Sequence, residues 1–284
     1  MILASTAAMP QLRKPLLQAA ALAAFAIFLS GCTGSGNITE AISIDSAQGG
    51  SENISSLSDV IAREPNNPDA YNVRGAAYGK GGSYQNALSD FNAALQLNPN
   101  FYQAYANRGL ILRYLGNRPA ALADYNKSLQ LNANYDAAYI GRGNLYRING
   151  QTAEAERDFD KAISLSTTDP RAFHNRALIR QLAGKHDSAI EDFTTAITLQ
   201  PNSPEPYNGR GLSYLAKNAD ENALEDFNTA LRLDPKSAEG WANQALVYER
   251  KADFKRARAS YSRAVALNPN YQPAIAGLAR TRGG

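Results

Sequence analysis

The sequence has a single cysteine, Cys32, so no intrachain disulfide can form. Its two histidines, His174 and His186, fall within one stretch and have no further cysteine to join them, which leaves no metal cluster to assemble. An excess of one charge sign is also missing: 29 Lys and Arg face 26 Asp and Glu. A nucleic acid partner needs a concentrated basic face to displace counterions, so none is expected. The apolar run Leu16 to Leu29 is too short for an ordinary membrane span. Gly79-Lys80-Gly81-Gly82 lacks the spacing and the Ser/Thr of a phosphate loop. His186-Asp187-Ser188 places three catalytic residue types side by side, where neighbours on a helix point apart. No acid, base and nucleophile converge, so the reading is of a chain that is not an enzyme and takes no cofactor or small-molecule substrate.

What is present is a repeat. From Pro68 to Tyr271 one pattern recurs every 34 residues without insertion or deletion, in six copies: 68–101, 102–135, 136–169, 170–203, 204–237 and 238–271. An aromatic stands at the fourth position (Tyr71, Tyr105, Tyr139, Phe173, Tyr207, Trp241), with Gly or Ala four later. The second half has an unvarying alanine (Ala87, Ala121, Ala155, Ala189, Ala223, Ala257) and an aromatic four residues on (Phe91, Tyr125, Phe159, Phe193, Phe227, Tyr261). A leucine closes each copy, from Leu97 to Leu267. These are helical i, i+3, i+4 and i+7 spacings, so each copy reads as two amphipathic helices. Gly82, Gly116, Gly150 and Gly184 provide a left-handed stop for the first helix; Pro99, Pro201, Pro235 and Pro269 stop the second. Small residues let two axes approach, aromatics fill the flanks, and stacking neighbours must bury what one copy cannot.

A charged pair accompanies the pattern. The seventh position is Arg in five copies (Arg74, Arg108, Arg142, Arg176, Arg210) and the twenty-third is Asp in the same five (Asp90, Asp124, Asp158, Asp192, Asp226). In the last copy both charges vanish together, to Gln244 and Ser260. A bidentate ion pair tying the two helices of each copy is one reading, separately solvated charges the other.

Taken together, these residues resemble the tetratricopeptide repeat (TPR) family over roughly two-thirds of the chain. The resemblance implies an all-α fold, a TPR α-solenoid: a right-handed superhelix of six helix-turn-helix repeats plus capping helices. Leu112 and Arg180 stand where the family has tyrosine, and Ala133 and Thr167 where it has a terminal proline, which is expected to loosen two junctions.

Residues 1–31 read as a signal peptide, with Arg13 and Lys14 before the apolar run and either Met1 or Met9 as the start. Without those two cations the balance is 27 to 26. Leu29-Ser30-Gly31-Cys32 resembles the lipobox of bacterial lipoproteins. That implies cleavage before Cys32, diacylglycerol on its thiol, a palmitate-like acyl chain on its amine, and a lipid-anchored protein that does not span the membrane. Thr33 rather than aspartate implies the outer membrane, hence a place at its periplasmic face. Residues 32–55 read as a flexible tether rich in Gly, Ser and Asn that lets the solenoid stand off the membrane, and 56–67 as an N-terminal capping half-repeat built on Leu57, Val60 and Ile61. Residues 272–284 read as a C-terminal capping helix with a short apolar face of Ile275, Leu278 and Ala279 and with Arg280 and Arg282 outside.

In the family, first-helix positions line a concave groove that takes up peptides or helices. Carried over, those positions give Leu110, Arg113, Tyr114, Asn144, Arg147, Leu178, Leu212 and Leu246, a surface suited to an amphipathic segment with an acidic flank. The leucines could instead pack between neighbouring first helices. The expected function is a non-enzymatic scaffold or adaptor of the bacterial cell envelope. Two alternatives stand beside it: an escort in pilus or secretin assembly, and a self-assembling structural protein.

Overall fold

The computed structural model describes residues 51–283, so the expectations for the leader, Cys32 and most of the tether fall outside the described residues. Within them lie fourteen α-helices and a terminal 3₁₀ turn, Thr281–Gly283, with no strand. Helix α1 (Ser51–Arg63) precedes six pairs: α2 (Pro68–Lys80) with α3 (Tyr84–Leu97), α4 (Tyr102–Tyr114) with α5 (Arg118–Leu131), and α6 (Asp136–Ile148) with α7 (Thr152–Ser164). Then come α8 (Pro170–Leu182) with α9 (His186–Leu199), α10 (Pro204–Ala216) with α11 (Asp220–Leu233), α12 (Ala238–Arg250) with α13 (Phe254–Leu267), and the closing α14 (Gln272–Arg280). Every first helix starts where the 34-residue step places it.

Local chemistry sets the ends. The Asn67 side chain accepts from the Asp69 and Ala70 amides, and Asp169 from Arg171, satisfying donors that a helix start leaves open. The reversal inside each pair needs one left-handed residue, and Gly82, Gly116, Gly150 and Gly184 supply it at φ between 73° and 79°. The last two pairs make the same reversal without glycine: Asn218 and Ala252 hold φ of 59° and 57°. Alanine there costs about 1–2 kcal/mol, which the surrounding contacts outweigh.

At the far end, Asn98, Asn132, Asp234 and Asn268 each accept from the amide two residues on, an Asx turn that closes the second helix. Asn132 makes this turn beside Ala133, so the loosening expected there is absent. At Thr167 the junction does change. Ser166 adopts φ 62° and its amide bonds to the Ile163 carbonyl, so α7 stops at Ser164 rather than at the repeat's closing leucine.

Packing explains the repeat's fixed residues. All six alanines of the second helices are fully buried, as are the aromatics four residues on, at 2% exposure or less. Each of these rings is gripped by small residues of first helices. A Cβ on Gly143 would stand 3.0 Å from Phe159 of its own repeat. One on Gly209 would come 2.4 Å from Phe193 of the repeat before, and one on Gly277 of α14 2.2 Å from Tyr261. The closing leucines serve the core less than the pattern implies, with Leu97 and Leu199 about two-fifths exposed.

Successive first helices (α2, α4, α6, α8, α10, α12) touch one another, whereas a second helix makes substantial contact only with first helices, its own and the next. First helices therefore form the inner layer and second helices the outer, more widely spaced one. Helix α1 begins at Ser51, so it takes in the last five residues of what the sequence assigns to the tether, and it holds the place of a second helix. Its Ser58 Oγ accepts from Arg74 Nη1 across 16 residues, the same offset found at each later junction.

Candidate protein-interaction surface

The recurring arginine does more than pair within its own repeat. Arg142 donates through Nε and Nη2 to both oxygens of Asp158, at 2.8 Å each, and the other four pairs repeat this fork at 2.7–2.9 Å. The aspartate side chains are only 5–8% exposed. The remaining nitrogen, Nη1, reaches back to the preceding second helix: Arg108 to Asn92, Arg142 to Asn126, Arg176 to Asp160 and Arg210 to Thr194. One guanidinium thus ties three helices and two repeats. Tyrosines three residues before and four after flank it, their ring centroids 5.5 Å and 5.9 Å from the Arg142 guanidinium carbon.

Hydrogen bonding to Asp158 raises Arg142 above the usual arginine value. In the fifth repeat, burial pushes the Asp226 carboxyl up against the pull of Arg210, the mark of a carboxylate that has left water behind. In the last repeat Gln244 donates to Asn228 and accepts from Ser260, so an uncharged pair occupies the same network. Of the two sequence readings, the bidentate pair is the one found; the backward bond to the preceding repeat is not in either, although the polar residues at 58, 92, 126, 160, 194 and 228 recur at the repeat step.

This clasp joins each first helix of the inner layer to the second helices on either side of it. Of the side chains expected there, Leu110 and Asn144 are buried, at 1% and 5% exposure. Leu110 belongs to the packing between α4 and α6, and Asn144 accepts from Arg147. Arg113, Tyr114, Arg147, Leu178, Leu212 and Leu246 are half-buried. Leu178 packs against Ala177, Ala189 and Phe193, and Leu212 and Leu246 pack around Phe227 and Val247. These leucines therefore pack on one flank and remain accessible on the other. Between α4, α6 and α8 a cavity of about 10 Å³ is lined by Leu110, Arg113, Ile140, Gly141, Asn144, Arg171 and Asn175. It has room for about one water, so the inner layer here is a filled, contoured face.

Polar bonds between first helices add specificity that the apolar pattern did not reveal. Asn107 donates to Asn72 and Asn243 to Asn208, while Gln181 donates to the Gly209 carbonyl and to Ser213. His174 lies against Phe193, ring centroids 5.6 Å apart, and burial together with the nearby Arg147 pushes it down to about 4, so its ring is neutral. His186 and Asp187 stand at the start of α9, where Asp187 pairs with Lys217. Among the described residues, no three His, Cys, Asp or Glu come together as a metal would require, and no helix is long and apolar enough to cross a membrane.

Models described as tetratricopeptide repeat match residues 68–101, 106–170, 170–203 and 238–271, and one described as TPR repeat matches 211–251. The chain belongs to the tetratricopeptide repeat family. No curated protein matches it in sequence. Among solved structures, this TPR chain is similar to one in the APC/C hetero-tetramer Cut9–Hcn1 at TM-score 0.72 and 19% identity. That match covers 80% of this chain but only 45% of the other, so the chain spans less than half of that relative's length. YrrB, a TPR protein with an unusual peptide-binding site, aligns at TM-score 0.56 and 24% identity, over 66% of this chain and 96% of its own. PilW, a type IV pilus biogenesis factor, aligns at 0.66 and 17%, over 74% and 98%. At these identities the likeness is one of fold.

Proposed function

We propose that the protein is a lipid-anchored TPR scaffold of the bacterial cell envelope, tethered through acylated Cys32 at the periplasmic face of the outer membrane. It offers its first-helix face to a protein or peptide partner and performs no chemistry. The observation that carries the recognition half is the inner layer itself. First helices of six repeats run side by side, their leucines Leu178, Leu212 and Leu246 anchored on one flank and open on the other, with Arg113 and Arg147 on the earlier first helices α4 and α6. Such a surface suits a segment with apolar anchors and polar edges. The anchoring half is supported by the leader and the Leu29–Cys32 motif.

A narrower reading, escort of pilus or secretin components, draws on the likeness to PilW, almost all of whose length aligns here. The rival reading, self-assembly, is told apart by mass: a monodisperse monomer in light scattering opposes it.

The test uses detergent-solubilised native protein carrying an affinity tag. Leu178→Glu with Leu212→Glu is expected to abolish capture of whichever partners the unmodified chain retains, with helical content unchanged. Mass spectrometry of the amino-terminal peptide is expected to show an acylated Cys32. Undiminished capture overturns the recognition, and an unmodified Cys32 overturns the anchor.

A further inference from the structure

The turns joining the two helices of each repeat lie side by side along one edge. Tyr84 at the first turn stacks on Tyr114 at the second, ring centroids 5.6 Å apart and planes at 6°. Further along, Arg118 donates to Asn149, Lys217 pairs with Asp187, and Arg250 and Lys251 pair with Asp220 and Glu221. The edge changes character along its length. In repeats five and six it is a ladder of opposite charges. In repeats one to four it carries Leu115, Ile148 and Leu182, exposed by 40%, 39% and 51%, beside the half-buried Tyr84 and Tyr114.

The charges set among those apolar side chains are the cations Lys80, Arg118 and Lys185 and one carboxylate, Glu154 in the first turn of α7; the next carboxylate along the turns, Asp187, is engaged by Lys217. Single exposed apolar side chains are ordinary on any surface, but Leu115, Ile148 and Leu182, each at or one residue past the end of a first helix on adjoining turns, make a strip. Apolar side chains bordered by three cations against one carboxylate match a bilayer surface with anionic headgroups, where the apolar groups enter the interface and the cations meet phosphates. Position along the chain agrees. Helix α1 packs on α2, so residues 32–50 join the anchor to the end of the stack that carries this strip. Those 19 residues could reach about 60 Å fully extended, too far to set any orientation alone.

We propose that the turn edge of repeats one to four, from Lys80 to Lys185, is a second membrane contact that lies on an anionic lipid surface and orients the rod. This rests on the reading that Cys32 holds the protein at a membrane. The rod then lies along the bilayer by this edge, in place of standing off on its tether.

The experiment uses the chain from residue 32 on with Cys32→Ser, so that acylation contributes nothing, and vesicles of phosphatidylglycerol and phosphatidylcholine in equal parts or phosphatidylcholine alone. Co-sedimentation is expected with the anionic vesicles and is lost in high salt. Arg118→Glu with Lys185→Glu should weaken it at least about tenfold, since each cation near such a surface contributes about fivefold. Ile148→Ser with Leu182→Ser should weaken it comparably, whereas Lys236→Glu, outside these turns, should not. Failure to sediment, equal binding to neutral vesicles, or indifference to the edge substitutions overturns the proposal. An acylated Cys32 in the native protein alongside that failure would leave the anchor standing, so the two readings fail separately.

Discussion

Replacing Phe159 with alanine is expected to lower the unfolding free energy by about 3–5 kcal/mol, enough to uncouple the third repeat from the fourth. The ring is fully buried, between Ala155 and Ala162 of its own helix, Ile140 of α6, and Ala172 and Ile179 of α8. Three of those neighbours are alanines, whose methyl groups cannot extend into the void, so relaxation recovers little. Stability in a stack is a sum over neighbours, so a weakened third interface should also broaden the transition of the whole chain. Chemical denaturation followed by far-ultraviolet circular dichroism measures both. Leu97→Ala, at a two-fifths exposed position, should change the midpoint little by comparison. Equal effects at the two sites would contradict this view of the core.

The second large effect concerns the clasp. Arg142→Ala leaves the Asp158 carboxylate buried without its counter-ion and is expected to cost about 3–5 kcal/mol. Most of that is the penalty of the orphaned charge, not the worth of the pair, and the last repeat shows how to separate the two. There Gln244 and Ser260 hold the same three-helix junction without charge. Arg142→Gln combined with Asp158→Ser should therefore recover most of the loss. If the double variant is as unstable as Arg142→Ala, the uncharged network does not substitute for the ionic one. If Arg142→Ala costs nothing, the forked geometry carries no energetic weight.

These two positions also show how far the sequence could be read. The helix pairs, their starts and the aromatic–alanine core follow from periodicity, because burial of a ring against a small residue leaves an unmistakable spacing. The Arg–Asp fork was legible because both partners appear, and disappear, together. Its bond to the preceding repeat was not, since the acceptor varies among Ser, Asn, Asp and Thr and no single residue type marks it. The inner face was legible only by helix position: register identifies which side of a helix faces inward but not how deeply a neighbour covers it. Leu110 and Leu178 share one register yet differ in exposure: the first is buried where α4 meets α6, the second only half-buried against Ala177, Ala189 and Phe193. The turn edge escaped notice for another reason. Its residues belong to four separate repeats and become neighbours only when the repeats stack.

The central claim is that recognition belongs to the inner layer of first helices, and in-cell photocrosslinking tests it most directly. A photoreactive phenylalanine analogue replaces Leu178 on the inner face or, in separate chains, the exposed outer residues Arg157 and Glu191. Partner adducts from position 178 and none from 157 or 191 is the result this structure predicts. Adducts from the outer positions with none from 178 would contradict it.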